Sequence, residues 1–239
     1  MPRRPYLGTL VAAACLLITL TACGGGTSTA ARAVAAASPN NATGGPPVAA
    51  ATRGAATTGG ATRFTIDQAT SKATYEVKET FIGRGVSTAV GATSAITGDI
   101  TINTAQPASS SIGTITVDIS KLASDSNQRD NRIKQQWLES TKHPIATFVP
   151  KRLEGLPTSA YTEGQTLTFK IVGNLTIRTV TKEITFDATG KIVGGTFSGT
   201  AKTAFNMTDF GIDPPDIAGV LKAENGVVLT LDLNAKKAN

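Results

Sequence analysis

Apolar and polar residues alternate along most of residues 63–239. In the clearest stretch, residues 166–177, the odd positions are apolar or glycine and the even ones are mostly polar. The same alternation recurs over residues 115–119, 184–186 and 227–234. Because successive side chains of a β-strand point to opposite faces, this period of two predicts strands with one buried face.

Residues 124–140 depart from the alternation and predict one short helix. Ile133 and Trp137 lie four positions apart, on one helical face, and Ser126 or Asp125 is a suitable N-cap. The helix is expected to end before Pro144, since the residue preceding a proline avoids the helical conformation. Trp137 is expected to pack this helix against the strands.

Turn signals separate the predicted strands, among them Thr189-Gly190 and Asn225-Gly226. Roughly eight to ten antiparallel strands with one apolar face can form either a two-sheet sandwich or an up-and-down barrel. A barrel of about eight strands either fills with side chains or holds one small ligand. The pattern alone leaves both architectures open.

The first 22 residues have the three parts of an export signal. Arg3 and Arg4 give a positive start, and residues 7–20 form an uncharged apolar run that is short for a transmembrane helix, which needs ~20 apolar residues. The run ends in Leu20-Thr21-Ala22-Cys23, which resembles the bacterial lipobox, where the cysteine becomes the acylated first residue. An ordinary cysteine after a secretory signal and an uncleaved anchor are the alternatives. We predict a cleaved lipoprotein signal peptide over residues 1–22 and lipidation of Cys23.

Residues 23–62 consist mainly of Gly, Ala, Ser, Thr, Pro and Asn. Such a segment has little apolar area to offset the entropy of ordering, so it predicts a disordered linker with a root-mean-square reach of ~35 Å. The folded domain, residues 63–239, is then expected to be a membrane-anchored lipoprotein domain outside the cytoplasm. It would lie on the periplasmic face or at the cell surface.

Charge and cysteine content exclude two classes of function for this domain. Four of the 23 basic residues precede residue 63 and all 17 acidic residues follow it, which leaves the domain nearly balanced in charge. It therefore lacks the basic surface that nucleic acid requires. Cys15 and Cys23 both precede the domain, so thiol catalysis, disulfides and cysteine metal ligands are excluded within it.

No catalytic set is recognisable in the domain. His143 is the only histidine of the chain, and no Gly-x-Ser-x-Gly nucleophile motif occurs. Asp209, Asp213 and Asp216 do not have the spacing of a calcium loop, which favours turn and capping roles for them. We therefore predict a protein that is not an enzyme and that has no catalytic residue, metal or cofactor.

The charged residues of the predicted helix, Arg129, Asp130 and Arg132, are expected to form an exposed helix face. Ion pairs between exposed side chains contribute little to stability, so no functional role is expected for them.

A series of motifs spanning about residues 64–235 resembles the YceI-like family. Each motif is short, but they occur in the order of that family: Asp118-Ile119-Ser120-Lys121-Leu122, Arg129-Asp130, Trp137-Leu138-Glu139, His143-Pro144-Ile145-Ala146-Thr147-Phe148, Val172-Gly173-Asn174-Leu175-Thr176-Ile177-Arg178-Thr179-Val180-Thr181 and Phe205-Asn206-Met207-Thr208-Asp209-Phe210-Gly211-Ile212. The closing apolar strand over residues 227–233 fits as well.

The resemblance implies an all-β fold: an extended, lipocalin-like, antiparallel up-and-down β-barrel with one short helix. It also implies an apolar pore that holds a polyisoprenoid, a quinone tail or a similar lipid. The side chains expected to contact the lipid from the barrel interior are Leu167, Phe169, Ile171, Leu175, Ile177, Ile184, Phe186, Val227, Leu229 and Leu231.

Two residues depart from the family pattern, in which many members have glycine at the position of Thr179 and arginine at the position of Met207. The resemblance therefore implies binding of an apolar tail and leaves the contact to a lipid head group open. The function it implies is a membrane-tethered carrier or reservoir for such a lipid. The alternative is a non-catalytic envelope scaffold whose barrel is packed solid.

The lipobox predicts that Cys23 alone attaches the mature chain to the membrane. Replacing Cys23 with serine should move the protein from the membrane fraction to the soluble fraction, because no acyl chain can then be added. Fractionation and the intact mass of the mature protein measure this. Cys15→Ser is the matched control and should stay in the membrane fraction; equal behaviour of the two variants would contradict the prediction.

Overall fold

The alternating residues form fourteen β-strands in the part of the chain that the computed structural model describes, residues 60–238. The strands are β1 Ala61–Ile66, β2 Lys72–Phe81, β3 Gly85–Thr93, β4 Ile96–Thr97, β5 Asp99–Asn103, β6 Ser111–Ile112, β7 Ile115–Asp118, β8 Ala123–Ser124, β9 Ile145–Glu154, β10 Leu167–Ile177, β11 Val180–Val193, β12 Thr196–Asn206, β13 Asp216–Ile217 and β14 Leu221–Lys237. The predicted signal peptide, Cys23 and nearly all of the predicted linker lie outside the described residues.

The antiparallel pairings connect these strands into a closed ring. The short strands follow one another as parts of longer rows: β1 and β2 form one row, β3 to β5 the next, and β6 to β8 the third. Pairing then runs from the third row through β7 to β9, and on through β10, β11, β12 and β14. β14 in turn pairs with both β1 and β2. The predicted all-β, up-and-down barrel is confirmed, and the sandwich is excluded.

The predicted helix is present but shorter than the polar segment and irregular. Helix α1 spans Asn127–Arg132, and a single π-helical turn, Ile133–Trp137, follows it. Of the two predicted N-cap candidates, Ser126 is the N-cap, and its side-chain oxygen accepts a hydrogen bond from the Arg129 amide at 3.4 Å. Trp137 packs against the core, as expected. No helix within residues 60–238 is long and apolar enough to cross a membrane.

Two predicted turns are wrong. Thr189-Gly190 lies inside β11, where the absence of a Cβ lets the Phe197 ring pack on Gly190. Asn225-Gly226 lies inside β14, at a bulge between Ala223 and Val227. There the Asn225 side chain accepts a hydrogen bond from the Thr208 amide at 3.1 Å and donates one to the Thr208 hydroxyl at 2.9 Å. A tertiary contact thus uses the residues whose local preference is for a turn.

The close packing of β9 on β10 requires a glycine at position 173. A Cβ there would lie 2.6 Å from the Val149 carbonyl oxygen and 2.7 Å from Cζ of Phe148. Gly173→Ala should therefore lower the free energy of unfolding by about 1–3 kcal/mol, as overpacking does. Urea denaturation of the purified protein measures this.

Gly226→Ala is the matched control, because a Cβ added at Gly226 would have no other atom within 4 Å. Its free energy of unfolding should change by less than about 0.5 kcal/mol. Equal effects of the two substitutions would show that the contact with Phe148 and Val149 is not tight.

Candidate functional site: an apolar cavity in the barrel

The barrel interior contains a cavity of about 330 Å³. It lies in the half of the barrel built by β2, β3 and residues 221–231 of β14, which we call the open half. The other end, built by β1, β5 and β6, is the packed half. Along β2 the cavity extends from Ala73 to Phe81, which corresponds to ~26 Å at ~3.3 Å per residue. The cavity is therefore elongated along the strands.

Small inward-facing side chains keep the open half unfilled. Ala73, Ala89, Ala146 and Ala223, from four different strands, all line the cavity. Their methyl groups reach too short a distance to meet across the barrel, so the space between them stays empty.

Two phenylalanines form the floor of the cavity. The rings of Phe148 and Phe186 pack edge to face, with centroids 5.0 Å apart and an interplanar angle of 77°. Together with Ile115 and Leu231 they line the cavity on one side and a void of only about 30 Å³ on the other. The floor thus separates the open half from the packed half.

Of the ten residues predicted to face the interior, six line the cavity: Leu175, Ile177, Phe186, Val227, Leu229 and Leu231. The structure places the other four elsewhere. Leu167 and Phe169 line a void of about 50 Å³ in the packed half, and Ile171 lines the 30 Å³ void below the floor. Ile184 is partly buried against the core. Contact of any of the ten with a lipid stays a prediction.

The segment of residues 124–140, which we call the cap, covers one side of the cavity. Ile133, Trp137 and Leu138 supply apolar side chains to the lining. At its start, the buried Asp130 carboxylate accepts hydrogen bonds from the amide of Ser124 at 3.0 Å and from its hydroxyl at 2.6 Å. These bonds fold the beginning of the cap back onto the helix.

The end of the cap is attached to the turn between β10 and β11. Arg178 donates a hydrogen bond to the Glu139 carboxylate at 2.7 Å. Arg178 holds a left-handed backbone conformation, with φ 57°, which a side-chain-bearing residue adopts infrequently. The ion pair therefore joins the cap to the tightest point of the neighbouring hairpin.

The cavity reaches the surface at an apolar rim. Val220 lines the cavity and is 49% exposed. Its carbonyl accepts a hydrogen bond from the Ile82 amide at 3.0 Å, which joins the loop before β14 to the β2–β3 hairpin. Ile82 and Val86 on that hairpin are 68% and 69% exposed. We call Ile82, Val86 and Val220 the rim.

The prediction of an exposed helix face at residues 129–132 is wrong. Asp130 is buried, and the Arg129 side chain is only 20% exposed. Arg129 and Arg132 both line the cavity. The reason is that β8, which pairs with β3, leads directly into the helix, so the cap packs its charged residues over the barrel rather than into solvent.

Several polar residues of the lining did not follow from the sequence pattern, among them Tyr75, Glu79 and Arg129. One signal was present, because Glu79 is a charged residue at an inward position of β2, between Val77 and Phe81. Its side chain is 7% exposed, and its carboxylate lies 3.5 Å from Nη2 of Arg129.

Burial dominates the titration of two of these groups. It raises the pKa of the Glu79 carboxyl above its usual value, although the neighbouring Arg129 charge acts in the opposite direction. Burial, reinforced by the negative charge of Asp130, raises the pKa of Tyr75 to about 12. The Tyr75 hydroxyl therefore keeps its proton and can donate a hydrogen bond into the cavity.

A profile of the YceI-like domain matches residues 64–235. The chain belongs to the YceI-like family. A comparison with curated protein sequences finds no match. The recognition of the family from its motif order is thereby confirmed.

Solved structures share the family's fold. Burkholderia cenocepacia BcnA is similar over 72% of this chain and 99% of its own, with 18% identity and a TM-score of 0.57. A polyisoprenoid binding domain from Saccharophagus degradans, implicated in plant cell wall breakdown, is similar over 73% of this chain and 98% of its own, with 12% identity and a TM-score of 0.54. At these identities the likeness shows the fold.

Within this YceI-like domain, Met207 lies in the cavity wall and is 8% exposed. The position where many family members are expected to have an arginine is therefore apolar here. Asp209 accepts a hydrogen bond from the Asn206 amide at 3.1 Å, so its predicted capping role is confirmed. No group of three His, Cys, Asp or Glu residues suited to a metal occurs within residues 60–238.

The raised pKa of Glu79 contributes a loss of stability with increasing pH. At low pH the carboxyl is protonated in both the folded and the unfolded chain. As the pH rises past 4.5, the unfolded chain ionises first, and stability is lost until the folded carboxyl ionises as well. Glu79→Gln should remove this loss, which urea denaturation between about pH 4 and pH 8 can measure.

Glu76→Gln on the same strand is the matched control, since Glu76 does not line the cavity. That variant should keep the loss of stability of the wild-type protein. A Glu79→Gln variant with an unchanged pH profile would contradict the assignment.

Proposed function

We propose that this protein is a membrane-tethered lipid-binding protein that holds a polyisoprenoid, a quinone or a similar amphiphile in the open half of its barrel. The observation that carries the proposal is the elongated apolar cavity of about 330 Å³ behind an exposed rim. Small-molecule sites have volumes of about 300–1,000 Å³ and are lined mainly by apolar side chains with a few polar groups. The cavity agrees with both criteria.

The driving force would be burial of the apolar chain. Removal of apolar surface from water contributes roughly 25 cal/mol per Å². An empty apolar cavity also lacks the dispersion contacts that a filled core has, and a hydrocarbon chain would restore them. The cavity is elongated along the strands, as an extended isoprenoid is, so the shape supports this class of ligand.

The relation to the family supports the ligand class. One structural relative is a polyisoprenoid binding domain, and this chain has the same fold. We extend the class to this protein because its own interior offers an apolar space in the same type of barrel. Neither the fold nor the cavity requires a catalytic step, and we propose a binding function without catalysis.

The membrane tether and the location outside the cytoplasm rest on the sequence. Cys23 in its lipobox-like context would carry acyl chains, and the linker over residues 23–62 would connect them to the barrel. A lipid carrier attached in this way stays near the bilayer from which its ligand comes. We therefore propose a role as carrier or reservoir at the periplasmic face or cell surface.

The alternative, a scaffold with a solidly packed barrel, fits only the packed half. There the Phe197 ring occupies the space over Gly190 and Gly199, and the remaining voids are about 50 and 30 Å³. The open half does not have this character. We therefore favour the lipid-binding function.

Filling the cavity should abolish lipid uptake without unfolding the protein. The double substitution Val227→Phe with Leu229→Phe adds two apolar rings to the cavity wall. Uptake of a labelled isoprenoid, and the lipid found by mass spectrometry after solvent extraction, should fall at least about tenfold. The melting temperature should not fall, because the added rings occupy empty space.

Val228→Phe with Thr230→Phe is the matched control, placed on the outer face of the same strand. It should bind lipid as the wild-type protein does. If the wild-type protein neither co-purifies with lipid nor takes up the isoprenoid, the proposed function is wrong.

A further inference from the structure

The wall of the cavity contains a buried carboxylate oxygen without a hydrogen-bond partner. Within residues 60–238 no donor lies in hydrogen-bonding geometry with Oε2 of Glu79, although the side chain is only 7% exposed. Buried polar atoms are almost always satisfied, and an unsatisfied one carries a substantial desolvation penalty. An acceptor in this position is therefore suited to a donor supplied by a ligand.

The neighbouring guanidinium does not satisfy this oxygen because other residues hold it. Nη1 of Arg129 donates hydrogen bonds to the Asp125 carboxylate and, at 3.3 Å, to the Ser124 hydroxyl. Nη2 then remains 3.5 Å from Glu79 Oε2. The cap thus positions a donor and an acceptor side by side without joining them.

This arrangement differs from the ion pair at the other end of the cap. There, Nη2 of Arg178 lies 2.7 Å from Oε1 of Glu139 and donates a hydrogen bond to it. If Arg129 and Glu79 served only to attach the cap, they would be expected to form a hydrogen bond of similar length. The pair at Glu79 lies 3.5 Å apart, so a hydroxyl placed beside it in the cavity could contact both members.

The surrounding charges favour a neutral group. Glu79, Asp125 and Asp130 are three carboxylates near the pair, and Arg129 and Arg132 are the two guanidinium groups in the lining. A phosphate would bring further negative charge next to the unpaired Glu79 oxygen, which is unfavourable in a partly buried site. A hydroxyl adds no charge and can donate and accept at once.

We propose that Glu79 and Arg129 bind the hydroxyl of a neutral isoprenoid head group, an alcohol or a quinol, while the apolar chain occupies the cavity. The hydroxyl donates to Oε2 of Glu79 and accepts from Nη2 of Arg129. Tyr75, on the same face of β2 and with its ring packed against Gly91, adds a second donor for the head group. This assignment rests on the proposed lipid-binding function.

The head-group site is tested with three probes that share one C20 chain. The probes are geranylgeraniol, geranylgeranyl phosphate and the corresponding hydrocarbon, and binding to the purified full chain is measured by competition with a fluorescent isoprenoid. The wild-type protein should bind the alcohol about tenfold more tightly than either of the others, as one or two hydrogen bonds in a partly buried site allow.

Glu79→Leu should remove the preference for the alcohol over the hydrocarbon. Glu76→Leu, which alters a residue of the same strand outside the cavity, is the matched control and should keep the preference. Tyr75→Phe deletes only a hydroxyl, so it provides a variant that folds if Glu79→Leu does not. It should reduce the preference for the alcohol about threefold or more.

The outcomes separate the two proposals. Three results would overturn the head-group site alone: equal affinity for the alcohol and the hydrocarbon, tightest binding of the phosphate, or an unchanged preference in Glu79→Leu. If Glu79→Leu does not fold, an unchanged preference in Tyr75→Phe would overturn the site. Failure of all three probes to bind the wild-type protein would overturn the lipid-binding function itself.

Discussion

The structure depends on the length of β14. This strand is 17 residues long and pairs with β12 along one edge, while its other edge pairs first with β2 and then with β1. One unbroken strand therefore joins both ends of the barrel, although the strands opposite it are interrupted. The ring closes at both ends because β1 and β2 pair with this same strand, since unpaired backbone groups inside a sheet are unfavourable.

The two halves of the barrel differ in packing because they differ in the size of the inward-facing side chains. Alanines from four strands face the open half, whereas phenylalanines pack onto glycines in the packed half. The packed half supplies the dense core that holds the barrel together. The open half is less densely packed. The cap that encloses it is stabilised by two hydrogen bonds, one from Ser124 to Asp130 and one from Arg178 to Glu139. Dense packing and the cavity thus lie at different ends of one sheet.

The amino-acid pattern predicted the strands and the inward direction of their apolar residues, because both follow from local alternation. It did not predict which inward residues would surround empty space. Leu167 and Leu175 belong to the same strand and the same face, yet one lies in the packed half and the other on the cavity. That distinction depends on the partners across the barrel, which are set by long-range pairing.

The polar residues of the cavity wall could not be predicted from the local sequence, for the same reason. Glu79 and Arg129 are fifty positions apart, and only the pairing of β2 with β3 and of β3 with β8 brings the helix over β2. The helix residues had a pattern typical of an exposed face. The turn signals at Gly190 and Asn225 failed similarly, since an aromatic ring in one case and a side-chain hydrogen bond in the other use residues that locally prefer a turn.

The edge-to-face pair of Phe148 and Phe186 gives the cavity a fixed depth. A linear chain that enters beside Val220 can advance only as far as these two rings, whatever its total length. Under the proposed function, a lipid longer than the cavity would leave the remainder of its chain at the rim, against Ile82 and Val86, where a bilayer or another protein could reach it. The barrel would then act as a molecular ruler, in which two aromatic rings determine how much of a lipid is hidden from water.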